Sequence, residues 1–294
     1  VRAVRWAFVA HLAALAFGLI GLVVMVPHPS LWEWSALLAR VFNFGIHHAG
    51  PTHIVLGAIT LLLFGLVTLG PRKTLTFFAI ATLLPLAMEL IGTSTGWPFG
   101  KYAYTSGLGY KIAGKVPFSI PLSWFYGGFT AYLLATLVIR MRRPRWPVWA
   151  PVLLGAWLLT AWDLVLDPAM ASPHLSIRFW LWEQSGQYVG MPLTNFAGWA
   201  ATGALFMAIA RLLWREDADP RRVPAWLPFG VYVANIAFAI VLSISVGLWL
   251  PPLAAIVFGV LPASLALPAS PLGGGGRLRA LRFRRAEPQL PLPR

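Results

Sequence analysis

The chain has 294 residues, 58% of them hydrophobic and only 11% charged, with a mean hydropathy of +0.71. A soluble domain of that length cannot bury so much apolar surface, which leaves a polytopic α-helical membrane protein. A formal charge of +14 would suggest nucleic acid in a soluble protein; here the basic residues cluster in short loops and the tail, the positive-inside pattern, and no nucleic-acid partner is expected.

Apolar windows able to cross roughly 30 Å of hydrocarbon lie at 6–26, 53–70, 74–92, 118–139, 147–166, 192–213, 225–247 and 249–268. The first has no recognisable small-residue cleavage site, so it reads as a span rather than a removed signal peptide. Residues 27–52 read as an amphipathic interfacial segment, with Trp32 and Trp34 at headgroup level. With both termini in the cytoplasm, all 23 Lys and Arg except Arg40, Lys101, Lys111, Lys115 and Arg178 fall on the cytoplasmic side. The last window is interrupted by Pro251, Pro252 and Pro262, so the count is eight spans or seven. The predicted fold is therefore an all-α membrane helix bundle with two aromatic, Gly-rich loops on the non-cytoplasmic side. Residues 1–268 form one transmembrane catalytic domain, and 269–294 a basic Gly/Pro/Arg-rich disordered tail suited to anionic lipid heads.

An internal echo links the two loops. Gly100, Tyr102 and Pro117, with Trp124 seven residues after the proline, are matched by Gly186, Tyr188 and Pro192, with Trp199 seven residues on. Each loop follows a span ending in a carboxylate and precedes a Pro-opened helix. Two helix–loop–helix units of like orientation are the expectation.

Nine acids occur in the whole chain. Glu216, Asp217, Asp219 and Glu287 read as solvated loop or tail charges, and Glu33 as interfacial. Glu89, Asp163, Asp167 and Glu183 all fall at the non-cytoplasmic ends of spans or in the loops there. Ionisable groups at membrane depth are costly and are catalytic candidates by default. "WDLVLDP" places Asp163 and Asp167 at i and i+4 on one helix face. Carboxylates that close disfavour simultaneous ionisation, so one shared proton is available for general-acid chemistry. The same spacing could hold Mg²⁺ for a diphosphate, as in intramembrane prenyltransferases, although these resemble one another in carrying two aspartate-rich motifs and only one is present. It could also simply end a helix.

Trp97, Phe99, Tyr102, Tyr104 and Tyr110 in the first loop face Phe179, Trp180, Trp182 and Tyr188 in the second. An interfacial aromatic belt would look similar, but a belt needs no Gly-rich spacing. Aromatic faces stabilise cations by roughly 0.5–2 kcal/mol each, so acids beside such a wall suit chemistry through a carbocation. Asn195 and Asn235 are polar groups in apolar surroundings that can bridge helices or orient water. His47, His48 and His53 are too few for the His boxes of membrane di-iron oxygenases, and no metal is expected. With no Cys, disulfides, thiolate metal sites and Cys nucleophiles are excluded.

Three blocks, "ELIGTSTGWPFGKYAYTSGLGYKIAGKVPFSIPLSWF" (89–125), "WDLVLDPAM" (162–170) and "FWLWEQSGQYVGMPLTNFAGW" (179–199), resemble the carotenoid 1′,2′-hydratase family. The resemblance covers about residues 50–250. It implies a carotenoid-pathway enzyme of a prokaryotic cytoplasmic membrane. Such an enzyme adds water to the 1′,2′ double bond of an acyclic carotenoid end without cofactor, with other pathway enzymes as potential partners. On chemical grounds Asp163 or Asp167, or else Glu89, gives the proton, and another carboxylate, Glu183 included, handles the water. Trp97, Phe99, Tyr102, Tyr104, Trp124, Trp182, Tyr188, Asn195 and Trp199 are the candidates to line the substrate site. A non-enzymatic carotenoid- or lipid-binding protein remains a reading of the same residues.

Overall fold

The computed structural model describes residues 1–142, 145–214 and 223–267. Glu216, Asp217, Asp219 and the tail with Glu287 lie outside the described residues. Among the described residues seven helices are long and apolar enough to cross a membrane. They are α1 (Arg2–Ile20, continued by a π turn over Gly21–Met25), α2 (Ala36–Thr68), α3 (Pro71–Thr95), α4 (Ser119–Arg142), α5 (Ala150–Met170), α6 (Leu193–Trp214) and α7 (Trp226–Ser245). The all-helical bundle read from composition is thus the fold observed.

Two stretches differ from the sequence reading. The segment expected to lie at the interface through residue 52 instead enters α2 at Ala36, and that helix runs unbroken to Thr68 with Pro51 inside it. At about 1.5 Å per residue it is roughly 50 Å long, well beyond the hydrocarbon thickness. Proline is tolerated in such helices because neighbouring groups re-satisfy the freed backbone. The eighth window forms only the helix Leu250–Ser264, shorter than a crossing. It consists of α8 (Leu250–Ala255), a π turn (Ile256–Val260) and α9 (Leu261–Ser264). It packs against α5 and α7, where Trp157 donates its indole N–H to the Phe258 carbonyl at 3.0 Å.

Helix α4 is the hub, touching α2, α3, α5, α6 and α7. It is buried along nearly all its length, as expected of a helix apolar on every side. The pair Gly127–Gly128 makes that packing possible. A Cβ at Gly127 would collide with the ring of Trp162 on α5, and one at Gly128 with the ring of Phe206 on α6. Alanine normally gains up to about 1 kcal/mol over glycine within a helix. Gly127→Ala should nevertheless destabilise the protein by about 1–3 kcal/mol, because the core is overpacked at a rigid indole. A lowered melting temperature of the detergent-solubilised variant is the expected readout.

At one end of the bundle two connections meet. Helix α3 stops at Gly96, whose left-handed backbone (φ +83°) returns its N–H to the Gly92 carbonyl at 2.7 Å. The chain then forms β1 (Tyr102–Tyr104) and a small ribbon of β2 (Lys111–Ile112) and β3 (Val116–Pro117). The connection after α5 supplies β4 (Trp180–Trp182), which pairs antiparallel with β1. The register sets Tyr102 opposite Trp182 and Tyr104 opposite Trp180. Since alternate residues of a strand share a face, all four rings stand on one side of the ribbon.

Candidate active site

Under that ribbon lies a cavity of about 760 Å³, its open mouth included, bounded by residues of α2–α7 and both loops. Three carboxylates line it: Glu89 from α3, and Asp163 and Asp167 from α5. All three are at most 3% exposed.

Each acid meets a different set of donors. Glu89 Oε2 accepts from the Tyr104 hydroxyl at 2.9 Å and, at closer range, from the Tyr102 hydroxyl; Oε1 accepts from the Trp124 indole N–H at 2.9 Å. Burial, with the Glu89 carboxylate adding to it, holds both phenols well above their usual range, so each hydroxyl keeps its proton to donate. Asp167 Oδ1 accepts from the indole N–H groups of Trp180 and, at 3.3 Å, Trp182; Oδ2 accepts from the Asn195 amide at 2.7 Å. The second amide hydrogen of Asn195 reaches Asp163 Oδ2 at 2.9 Å. The i, i+4 pair is thus clamped by one amide, and only the Asn195 orientation with nitrogen between the two carboxyls satisfies both.

Aromatic rings close the walls. Trp124 and Trp199, which hold matching places in the two echoed loop–helix segments, stack with centroids 4.0 Å apart and planes 22° apart. Tyr102 lies against Trp182 at 5.1 Å, and Phe99 closes on Trp124 at 6.2 Å. On the side of α2 and α7 the boundary is polar. Tyr126 donates to Asn235 Oδ1 at 2.9 Å, and Asn235 Nδ2 lies 3.1 Å from His11 Nε2. His11 Nδ1 is 2.8 Å from the His53 carbonyl. A carbonyl only accepts, so Nδ1 carries the hydrogen and Nε2 accepts from Asn235.

Of the residues proposed from sequence, Glu89, Asp163, Asp167, Phe99, Tyr102, Tyr104, Trp124, Trp182, Asn195 and Trp199 line this one cavity. Three do not. Glu183 is exposed beyond the end of β4, where its backbone N–H pairs with the Lys101 carbonyl at 2.9 Å. Trp97 is 64% exposed, just after the Gly96 cap turns the chain outward. Tyr188 packs edge-on against Phe196 instead, its hydroxyl buried without a partner and its phenol pushed up to about 12 by that burial. Trp180, named from sequence in the aromatic wall, also lines the cavity, as do Trp162, Tyr126 and His53, which sequence reasoning passed over as lining residues. His53 and Tyr126 carried a signal that could have found them, being polar groups in otherwise apolar helices. His47 and His48 stay exposed on α2 and bond back to the carbonyls of Asn43 and Phe44.

A membrane bundle with buried acids inside an aromatic chamber is equipped to protonate an apolar substrate. The carotenoid biosynthesis protein family matches residues 49–262, most of the chain, and the chain belongs to that family. It is also similar to the bisanhydrobacterioruberin hydratase of Haloarcula japonica, with 33% identity over 195 residues, 65% of this chain and 61% of that protein. The chain thus spans about three-fifths of the length of that relative. No solved structure matches it.

Proposed function

We propose that the protein is a carotenoid 1′,2′-hydratase. It adds water across the terminal double bond of an acyclic carotenoid end, of the γ-carotene or lycopene type, to give a tertiary 1′-hydroxyl. The observation that carries this reading is the unequal dressing of the paired aspartates. Asp167 faces three N–H groups that can only donate, two indoles and one amide, and so acts as the carboxylate. Asp163, which lines the cavity, meets a single donor at Oδ2, which leaves its other oxygen to hold a proton.

Asp163 then gives that proton to C2′, and the positive charge settles on the more substituted C1′. Water adds to C1′ and returns one proton to the aspartate pair, so the site is restored and no cofactor is consumed. The cation lies among carboxylates and aromatic faces in a water-poor chamber, where each such interaction counts for more than in bulk solvent. Glu89, held by Tyr102, Tyr104 and Trp124, supplies further negative charge from the neighbouring wall. Its three partners keep it in place when the substrate arrives.

The diphosphate reading fits this chamber less well. Among the described residues no Lys or Arg lines the cavity, while three carboxylates do. Only a bound cation could offset the repulsion a diphosphate meets there, and among the described residues no group of three or more His, Cys, Asp or Glu is placed to hold one, whereas a hydrocarbon end brings no charge. Expression in a host that makes lycopene or γ-carotene should yield pigment heavier by one water per reacted end, measured by mass spectrometry. Unchanged pigment beside normal protein levels would remove the hydratase reading.

A further inference from the structure

A second cavity, about 570 Å³ with its mouth included, lies between α1, α2, α7 and the loop after α5. It adjoins the acid chamber, since His53, Met170 and Phe238 line both. Away from that shared wall the lining is wholly apolar, with Phe17 of α1, Leu22 of its π turn and Val26 just after that turn facing Phe42 and Ile46 of α2. Phe17 stands at the rim, half exposed on a face of α1 that lipid would cover. Much of this cleft is built by residues 1–48, outside the part of the chain that matches the family.

We propose that this cleft holds the polyene chain of the substrate. The polyene enters sideways from the bilayer between α1 and α2, passes the neck at His53, Met170 and Phe238, and presents its acyclic end to Asp163. This rests on the carotenoid reading above and adds the route and the chain subsite to it. A rigid hydrocarbon about as long as the bilayer is thick cannot fit whole inside the acid chamber, so most of it needs a lateral, dry opening. Lipid tails are as apolar as the cleft, so the hydrophobic effect contributes little. Selectivity comes from shape, and narrowing the cleft should therefore weaken binding sharply.

Two positions permit that test without disturbing the acids. An added Cβ at Gly18 or Gly21 meets no atom within 4 Å, although both glycines line the cleft. The first side-chain carbon of Gly18→Leu or Gly21→Leu therefore enters open space, and leucine favours the helix over glycine. Ala13→Leu, at an exposed site on the same helix, controls for added bulk. The protein in lipid nanodiscs is titrated with lycopene, and binding is read from the induced circular dichroism of the polyene band. A short acyclic terpene with the same isopropylidene end serves as a competitor that occupies only the acid chamber. Both glycine variants should raise the lycopene Kd at least tenfold, with Ala13→Leu and the affinity for the short terpene unchanged. Equal lycopene affinity in wild type and both glycine variants, or no lycopene binding by the wild type, would overturn the proposal. Glycine-sensitive binding with no water added to the bound polyene would support the cleft and sink the hydratase reading alone.

Discussion

Asp163→Asn should abolish water addition while leaving polyene binding intact. Asparagine has nearly the shape of aspartic acid and can still accept from the Asn195 amide through its own carbonyl oxygen. The local packing is therefore retained, and only the transferable proton is lost. General-acid catalysis is typically worth about 10²–10⁴-fold in rate, so turnover in membranes should fall by at least about 100-fold. The same polyene titration should return an unchanged Kd. Asp167→Asn should behave differently. Its amide N–H₂ would face one or more of the indole and amide donors that now converge on the carboxylate, so weakened folding should accompany lost activity. If Asp163→Asn keeps full turnover, the proton comes from elsewhere.

Glu89→Leu should be the most destabilising single change in the chamber. Two hydroxyls and one indole N–H end on that carboxylate, from Tyr102, Tyr104 and Trp124, and all three donors belong to groups that are buried or nearly so. Each donor left without an acceptor costs about 1–3 kcal/mol, so a loss of about 3–6 kcal/mol is expected after partial relaxation. That is a large share of a typical stability. The thermal midpoint in detergent should fall steeply, and β1 should lose its protection against proteolysis. Glu89→Gln, which keeps an acceptor for Trp124 and can pair with the hydroxyls, should recover most of the stability. Recovered fold with reduced turnover would mark the Glu89 charge as part of the chemistry. Recovered fold with full turnover would reduce Glu89 to a structural role.

How much of this was legible from the residues depends on the range of the interaction. Helix positions followed from apolar runs, because a membrane permits few alternatives to a helix. Boundaries were less legible. Residues 27–52 read as an interfacial segment ahead of a span at 53–70, yet α2 begins at Ala36 and carries Pro51 inside it. The pair Asp163/Asp167 was readable because a helix sets i and i+4 side by side. The clamp on that pair was not, since Asn195 lies 28 residues beyond Asp167 and reaches it only through the packing of α5 on α6.

The sequence by itself determined the kind of molecule and its chemical inventory: an apolar helical bundle, scarce acids near the ends of two spans, and two aromatic loops. Local spacing and the solvent's demand for satisfied backbone were enough for that. Tertiary structure alone decided which of those groups meet. The β1–β4 pairing carried Trp180 and Trp182 onto Asp167, the end of β4 left Glu183 in the open, and the Gly96 turn left Trp97 outside. It also decided that the acid chamber shares a wall, His53, Met170 and Phe238, with an apolar cleft beside α1. Those outcomes depend on contacts between residues tens of positions apart, which no single stretch of chain encodes.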